Sequence, residues 1–331
     1  MGSKAIVPKR QMSLPRPCEA PKKLSSLKDE TAVPLLDRRG KAIRRVFFSS
    51  RGLHAVWGVF FFLLTFEIVE SCLTNLLGHY FSLKPNGLIP PALALIRESC
   101  ELLAVVTATW TMARIENVSM FSYGFTDRHR IGKFGAGVFW GVLSLSLLVL
   151  VLWMSRMLVF DGIVLTGLYT WSYATIWLLV FLLVGLFEES LLRGYLQYKL
   201  SQTVGFWYAA AILSVAFALM HLRNSGESKL GILSVGVGGI LFCISLRFTK
   251  SLFWAVGFHT GWDWGQSYLY GTANSGLMME GHLLASHPSG NPLWSGGTAG
   301  PEASAFLLPL FALAALCMWL WWARPRTNRF N

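Results

Sequence analysis

Six side chains that could do chemistry stand inside long apolar runs of this chain. Glu188, Glu189 and Arg193 share one run, His221 closes the next, and His259 and Asp263 lie within a third. An ionisable group placed inside a bilayer costs roughly 2.5–3.5 kcal/mol on insertion scales, so each one needs a reason. On a helix Glu189 and Arg193 are i,i+4 with the acid first, the favourable order for an ion pair. Glu188 is rotated by about 100° from Glu189, projects from a different face and is left for other work. His259 and Asp263 share a face and can reach one point together. Phe217 lies one turn before His221 and can pack on its side, fixing its orientation.

Such a set suits two kinds of chemistry. A carboxylate can take a proton from a bound water while imidazoles stabilise the developing oxyanion. Alternatively Glu188, His221, His259 and Asp263 could ligate zinc or another divalent metal and leave one position open. Buried polar packing without chemistry, and the proton relay of an ion-coupled transporter, also accommodate the spacing.

Helices must carry these residues, because the chain is built for a membrane. Of its 331 residues 53% are hydrophobic and only 14% charged, with a mean hydropathy of +0.49. Soluble domains are about 25% charged. The five cysteines, Cys18, Cys72, Cys100, Cys243 and Cys317, are scattered without CxxC spacing and read as small apolar residues. Eight stretches are long enough to cross as helices: about 53–77, 90–112, 135–155, 175–199, 205–222, 229–248, 252–270 and 303–323. The expected fold is an all-α polytopic bundle of about eight transmembrane helices. It divides into a basic disordered tail at 1–51, the membrane domain at 52–323 and a short basic tail at 324–331.

The net charge of +12 does not mark a nucleic-acid binder. Residues 1–51 hold 13 Lys/Arg against 4 Asp/Glu, which places nine of the twelve charges in one Pro- and Ser-rich tail. That tail has no signal-peptide apolar region. Arg114, Arg128, Arg130, Lys133, Lys199, Arg247 and Lys250 fall on the side of the N-terminus, as do Arg324, Arg326 and Arg329. The opposite side shows only Lys84, Arg156, Arg223 and Lys229, and the loop 271–302 has no Lys or Arg. Both termini are therefore expected in the cytoplasm. Trp153, Trp171, Trp254, Trp294, Trp319, Trp321 and Trp322 fringe the spans as an interfacial belt does. Glu67 and Glu70 in span one, with Arg97, Glu98 and Glu101 in span two, read as a structural ion network, Arg97 and Glu101 being one turn apart. The remaining histidines, His54, His79, His129, His282 and His287, read as loop or interface residues. By these boundaries His221 lies on the order of 10 Å from the level of Glu188.

The polar residues also carry a family resemblance. FEESLLRGYLQ at 187–197 resembles the EExxxR motif of the CPBP family, the CAAX-protease and bacteriocin-processing (Abi) intramembrane proteases. FALMH at 217–221 resembles its FxxxH motif, and HTGWD at 259–263 its His-xxx-Asn/Asp motif, in the same order. The likeness covers about 130–323, and GTANSG and GGTAGPEAS in loop 271–302 resemble the Gly/Pro-rich stretch after the third motif. The resemblance implies an intramembrane endopeptidase acting on a membrane-anchored peptide or protein in the lipid bilayer. Glu188 would activate water with help from His221. His259 and Asp263 would stabilise the oxyanion or ligate a metal, while Glu189 and Arg193 shape the site. Asp263 stands where Asn is common, and an ionised carboxylate cannot donate to an oxyanion. Either Asp263 carries a proton or it serves a cation. HExxH, GxGD and GxSG are absent. The alternatives are a non-catalytic scaffold or a bacteriocin-immunity-like protein, and then a transporter, which the lack of an internal repeat disfavours. The likeness of loop 271–302 to the stretch found in bacterial members implies a bacterial cytoplasmic membrane as the expected location. Oligomeric state has no sequence signal.

Overall fold

The computed structural model describes residues 46–49, 52–78 and 87–322. The basic tail at 1–45, the C-terminal tail, Lys84 and His79 lie outside the described residues. Each of the eight expected spans is occupied by helix. In chain order these are α1 Ala55–Leu77, α2 Pro91–Glu116, α3 Arg130–Met154, α4 Leu168–Glu189, α5 Gln197–Val204, α6 Phe206–Met220, α7 Lys229–Thr249 and α8 Phe253–Trp264, with α9 Leu307–Trp322 at the end. A π-helical segment, Ser190–Leu196, joins α4 to α5 as one arm.

Among the described residues five helices are long and apolar enough to cross a membrane: α1, α3, the α4–α5 arm, α6 with its last turn, and α7. The other three expected spans differ for separate reasons. Charged Arg97, Glu98 and Glu101 interrupt the apolar run of α2. Only 12 residues make up α8, and nearly all are buried in protein rather than lipid. Within the described residues α9 runs over 16 residues, Leu307–Trp322, of which Leu307–Leu320 form a short apolar helix. The α4–α5 arm is longer than expected, 37 residues from Leu168 to Val204 rather than 175–199.

Strands were not foreseen. β1 Phe48–Ser49 pairs with β2 Gly52–Leu53, and β3 Leu158–Ile163 pairs antiparallel with β4 Leu284–Pro288. The second pair ties the loop after α3 to the loop after α8. Val159, Ile163 and Phe160 suit a pleated surface, but so short a run is lost among longer apolar ones.

Packing follows small residues. α1 buries one stripe, Gly58, Phe62 and Phe66, at four-residue steps. Phe62 stacks on Tyr195 at 5.1 Å and Phe66 on Phe187 at 5.9 Å. The tightest crossing joins α3 to α8. A Cβ at Gly137 or Gly141 of α3 would lie 2.3 or 2.2 Å from backbone oxygens of Trp254 and Phe258. At Gly257 or Gly261 of α8 it would lie 2.2 or 2.4 Å from backbone oxygens of Phe134 and Val138. Two GxxxG steps thus face each other, the arrangement that lets membrane helices touch backbone to backbone. Lys199, expected as a loop charge, is buried instead. Its ammonium donates to Glu116 Oε1 at 2.5 Å, and the Tyr195 hydroxyl donates to the same oxygen at 3.0 Å.

Candidate active site

Glu188 and Glu189 end α4 where the helix widens into the π segment. Extra residues per turn at such a segment re-aim side chains and recur at functional sites. Gly194 takes the break, at φ −81° and ψ −114°. The two glutamates then face different partners. Glu189 is fully buried and accepts from Arg193 Nη1 at 3.1 Å. Glu188 lines a cavity and its Oε2 has no hydrogen-bond partner.

His221 comes to the same level through a helical hairpin. The arm descends to Val204, turns at Gly205 (φ 84°, ψ 162°) and returns as α6. Glu189 stands sixteen residues before that turn and His221 sixteen after it. Ending the arm at Val204 rather than at 199 shortens the expected 10 Å offset, and His221 lines the same cavity as Glu188. The His221 Nδ1 lies 2.9 Å from the Phe217 carbonyl, so Nδ1 holds the proton and donates there. In the neutral ring that tautomer leaves Nε2 as the acceptor. The His221 ring also stands edge-on to Phe217 at 5.0 Å, and the Arg193 guanidinium lies over the Phe217 ring at 4.5 Å. Phe217 thus links the Glu189–Arg193 pair to His221.

His259 is held in place by α8, which the glycine crossing fixes against α3. Its Nε2 is 3.4 Å from Glu188 Oε2 and 3.4 Å from Asp263 Oδ2, while Nδ1 is 3.4 Å from Glu189 Oε1. Phe242 of α7 stacks on the ring at 5.3 Å and 19°. A second π segment, Gly265–Leu269, follows Asp263 directly.

Glu188, His221, His259 and Asp263 all line one cavity of about 220 Å³. Glu189 and Arg193 stand behind it. The lining includes residues that the sequence reading assigned elsewhere or passed over. Arg97, Glu98 and Glu101 of α2 reach the same cavity, and Arg97 donates to Glu101 at 2.9 Å. Glu70 instead accepts from Thr74 at 2.8 Å. Asn224, Ser234, Asn274, Ser275 and Glu302 complete the polar lining. Their signal was weak, since uncharged polar residues in loops are common. The gathering of three charges in α2 was the available clue.

Two loops roof the cavity. They touch at Gly226 and Gly276, where a Cβ on Gly276 (φ +78°) would lie 2.4 Å from the Gly226 carbonyl carbon. Glu302 accepts from the Ser275 backbone N–H within this roof. Of the other loop histidines, His287 pairs with Asp161 at 2.8 Å across β3 and β4, and His282 contacts the Met279 carbonyl at 3.1 Å.

Burial pushes the Glu302 carboxyl up to about 8 from an ordinary 4.5, and the Ser275 N–H only partly offsets it. The folded state thus keeps a proton that the unfolded chain releases between about 4.5 and 8. Stability is expected to fall as pH rises through that window and to level off above it. A melting series in detergent from pH 5 to 9 checks this, and Glu302→Gln should remove that part of the slope.

The described residues contain no group of three or more His, Cys, Asp or Glu side chains arranged to hold a metal ion. The four cavity residues have the donor chemistry for zinc, but as placed they do not form a ligand shell.

Residues 170–265 match the family model for type II CAAX prenyl endopeptidases of the Rce1-like kind. The matched segment runs from the start of α4 to the end of α8 and contains all three motifs. No curated protein matches the chain significantly. The family's activity is endopeptidase cleavage, and the long apolar helices make this a multi-pass membrane protein. Over residues 170–265, the segment that carries all three motifs, the chain is similar to the Rce1-like type II CAAX prenyl endopeptidases.

Proposed function

We propose that the chain is an intramembrane endopeptidase in which Glu188 activates water against a peptide bond of a membrane-anchored peptide or protein. The observation that carries this reading is Glu188 Oε2, buried without a hydrogen bond and 3.4 Å from His259 Nε2, in a cavity shared with His221 and Asp263. A buried carboxylate oxygen without a hydrogen bond asks for a donor, and water is the smallest one.

In the proposed reaction Glu188, with the free Nε2 of His221, takes a proton from water as its oxygen attacks the scissile carbonyl carbon. The carbonyl oxygen becomes an oxyanion and accepts from His259 and from Asp263 in its protonated form. The C–N bond then breaks, and the proton held by Glu188 passes to the leaving nitrogen. Glu189 and Arg193 position this set from behind, through His259 Nδ1 and through Phe217. The roof loops lie on the side poor in Lys and Arg. We therefore place cleavage near the face opposite the termini, in a bacterial cytoplasmic membrane.

The test uses the purified full-length chain in detergent and a farnesylated peptide ending in Cys-Val-Ile-Met with a fluorophore and a quencher. Its unprenylated counterpart runs in parallel. Cleavage that Glu188→Ala abolishes and that persists in EDTA supports the reading. Cleavage lost in EDTA and restored by zinc would assign Glu188, His221, His259 and Asp263 to a metal. No cleavage of either peptide, with a folded chain, would favour a non-catalytic scaffold.

A further inference from the structure

A serine or threonine inside a helix ordinarily returns its hydroxyl to the carbonyl one turn back. Thr65, Ser99, Thr107, Thr109, Ser146 and Thr260 all do so here, at 2.6–2.8 Å. Ser234 of α7 does not. It is only 1% exposed, its Oγ has no hydrogen-bond partner, and it lines the cavity that holds Glu188. Ser214 is also without a hydrogen bond, but it lies outside the cavity lining, where a Cβ on Gly239 would meet both its Oγ and Arg193 Nη2.

Ser234, Gly238 and Phe242 follow one another at four-residue steps, and all three line the cavity. Phe242 is the ring stacked on His259. Ser234 therefore stands two turns along the same wall, about 12 Å from that ring. An extended peptide advances about 3.3 Å per residue, so this distance corresponds to three or four residues of substrate. A peptide main chain entering a cavity poor in water must find partners for its carbonyls. Between the two, a Cβ at Gly238 would lie 3.3 Å from the ring of Phe311, which lines the cavity beside it.

We propose that the Ser234 hydroxyl donates a hydrogen bond to a main-chain carbonyl of the bound peptide, three or four residues from the bond that is cut. The proposal rests on the peptidase reading of the same cavity. It assigns Ser234 to substrate binding and not to the reacting atoms.

The experiment measures binding and turnover separately, with the farnesylated Cys-Val-Ile-Met peptide as probe. Binding is read by fluorescence anisotropy on the full chain carrying Glu188→Gln, with and without Ser234→Ala. Turnover is read on the chain with Glu188 intact. Ser234→Ala is expected to raise Kd and KM about tenfold with kcat within twofold, the effect of one hydrogen bond. Its melting temperature should stay level or rise, since the hydroxyl removed leaves no protein partner unpaired. Unchanged Kd and KM overturn the proposal, and a lowered melting temperature with unchanged Kd would make Ser234 a packing residue. A peptide that binds with the Ser234 effect but is never cut overturns the peptidase reading alone. A peptide neither bound nor cut overturns both.

Discussion

Glu188→Gln should leave a folded chain that cleaves the peptide at least a thousandfold more slowly. Glutamine keeps the shape of the side chain but cannot take a proton from water, and general-base assistance is worth about 10²–10⁴-fold. The fold should survive because Glu188 Oε2 makes no hydrogen bond that could be lost. The adjacent Glu189 offers the contrasting outcome. It is fully buried against Arg193, so Glu189→Ala leaves an unpaired buried guanidinium. Breaking a buried pair in this way costs about 3–5 kcal/mol, and the melting temperature should drop. Two neighbouring glutamates would then fail differently, one in rate and one in stability. Initial rates and melting curves of the two variants decide it. If Glu188→Gln keeps activity within tenfold of the parent, Glu188 is not the base.

Gly261→Val is the second large effect, and it acts at a distance from the reacting groups. A Cβ at Gly261 would lie 2.4 Å from the Val138 carbonyl oxygen and 3.0 Å from two further Val138 backbone atoms. Backbone cannot move aside as a flexible side chain can, so α8 must separate from α3. Overpacking of this kind costs about 1–3 kcal/mol. The functional loss should be larger than the stability loss, because α8 carries both His259 and Asp263. A displacement near 1 Å is enough to cost about a hundredfold in rate. The expected result is a lowered melting temperature with cleavage below one per cent of the parent. Normal activity in this variant would mean that the α3–α8 crossing does not position the site.

Composition and spacing made much of this protein legible. An apolar chain with few charges has only helices available in lipid, so the all-helical membrane fold could be read directly. The i,i+4 relations were equally local. Glu189–Arg193 and Arg97–Glu101 pair in the structure, at 3.1 and 2.9 Å, because helix geometry alone sets those neighbours. Phe217 meets His221 for the same reason. The strands β3 and β4 were not legible, since each gains its partner only from a segment more than a hundred residues away.

What only the tertiary structure decided is where the helices stand relative to one another. Span boundaries read from hydropathy displaced His221 from Glu188. The π segment and the turn at Gly205 bring both to one cavity. The role of Gly137, Gly141, Gly257 and Gly261 is likewise invisible in one helix, because a glycine marks a close approach only once its neighbour is known. Arg97, Glu98 and Glu101 read as an ion network of their own until α2 was seen to reach the Glu188 cavity. A sequence fixes which side chains can react and which neighbours they have one turn away. Whether groups on α2, α4, α6, α7 and α8 share one cavity depends on contacts between helices distant in the chain, and local periodicity holds no information about those.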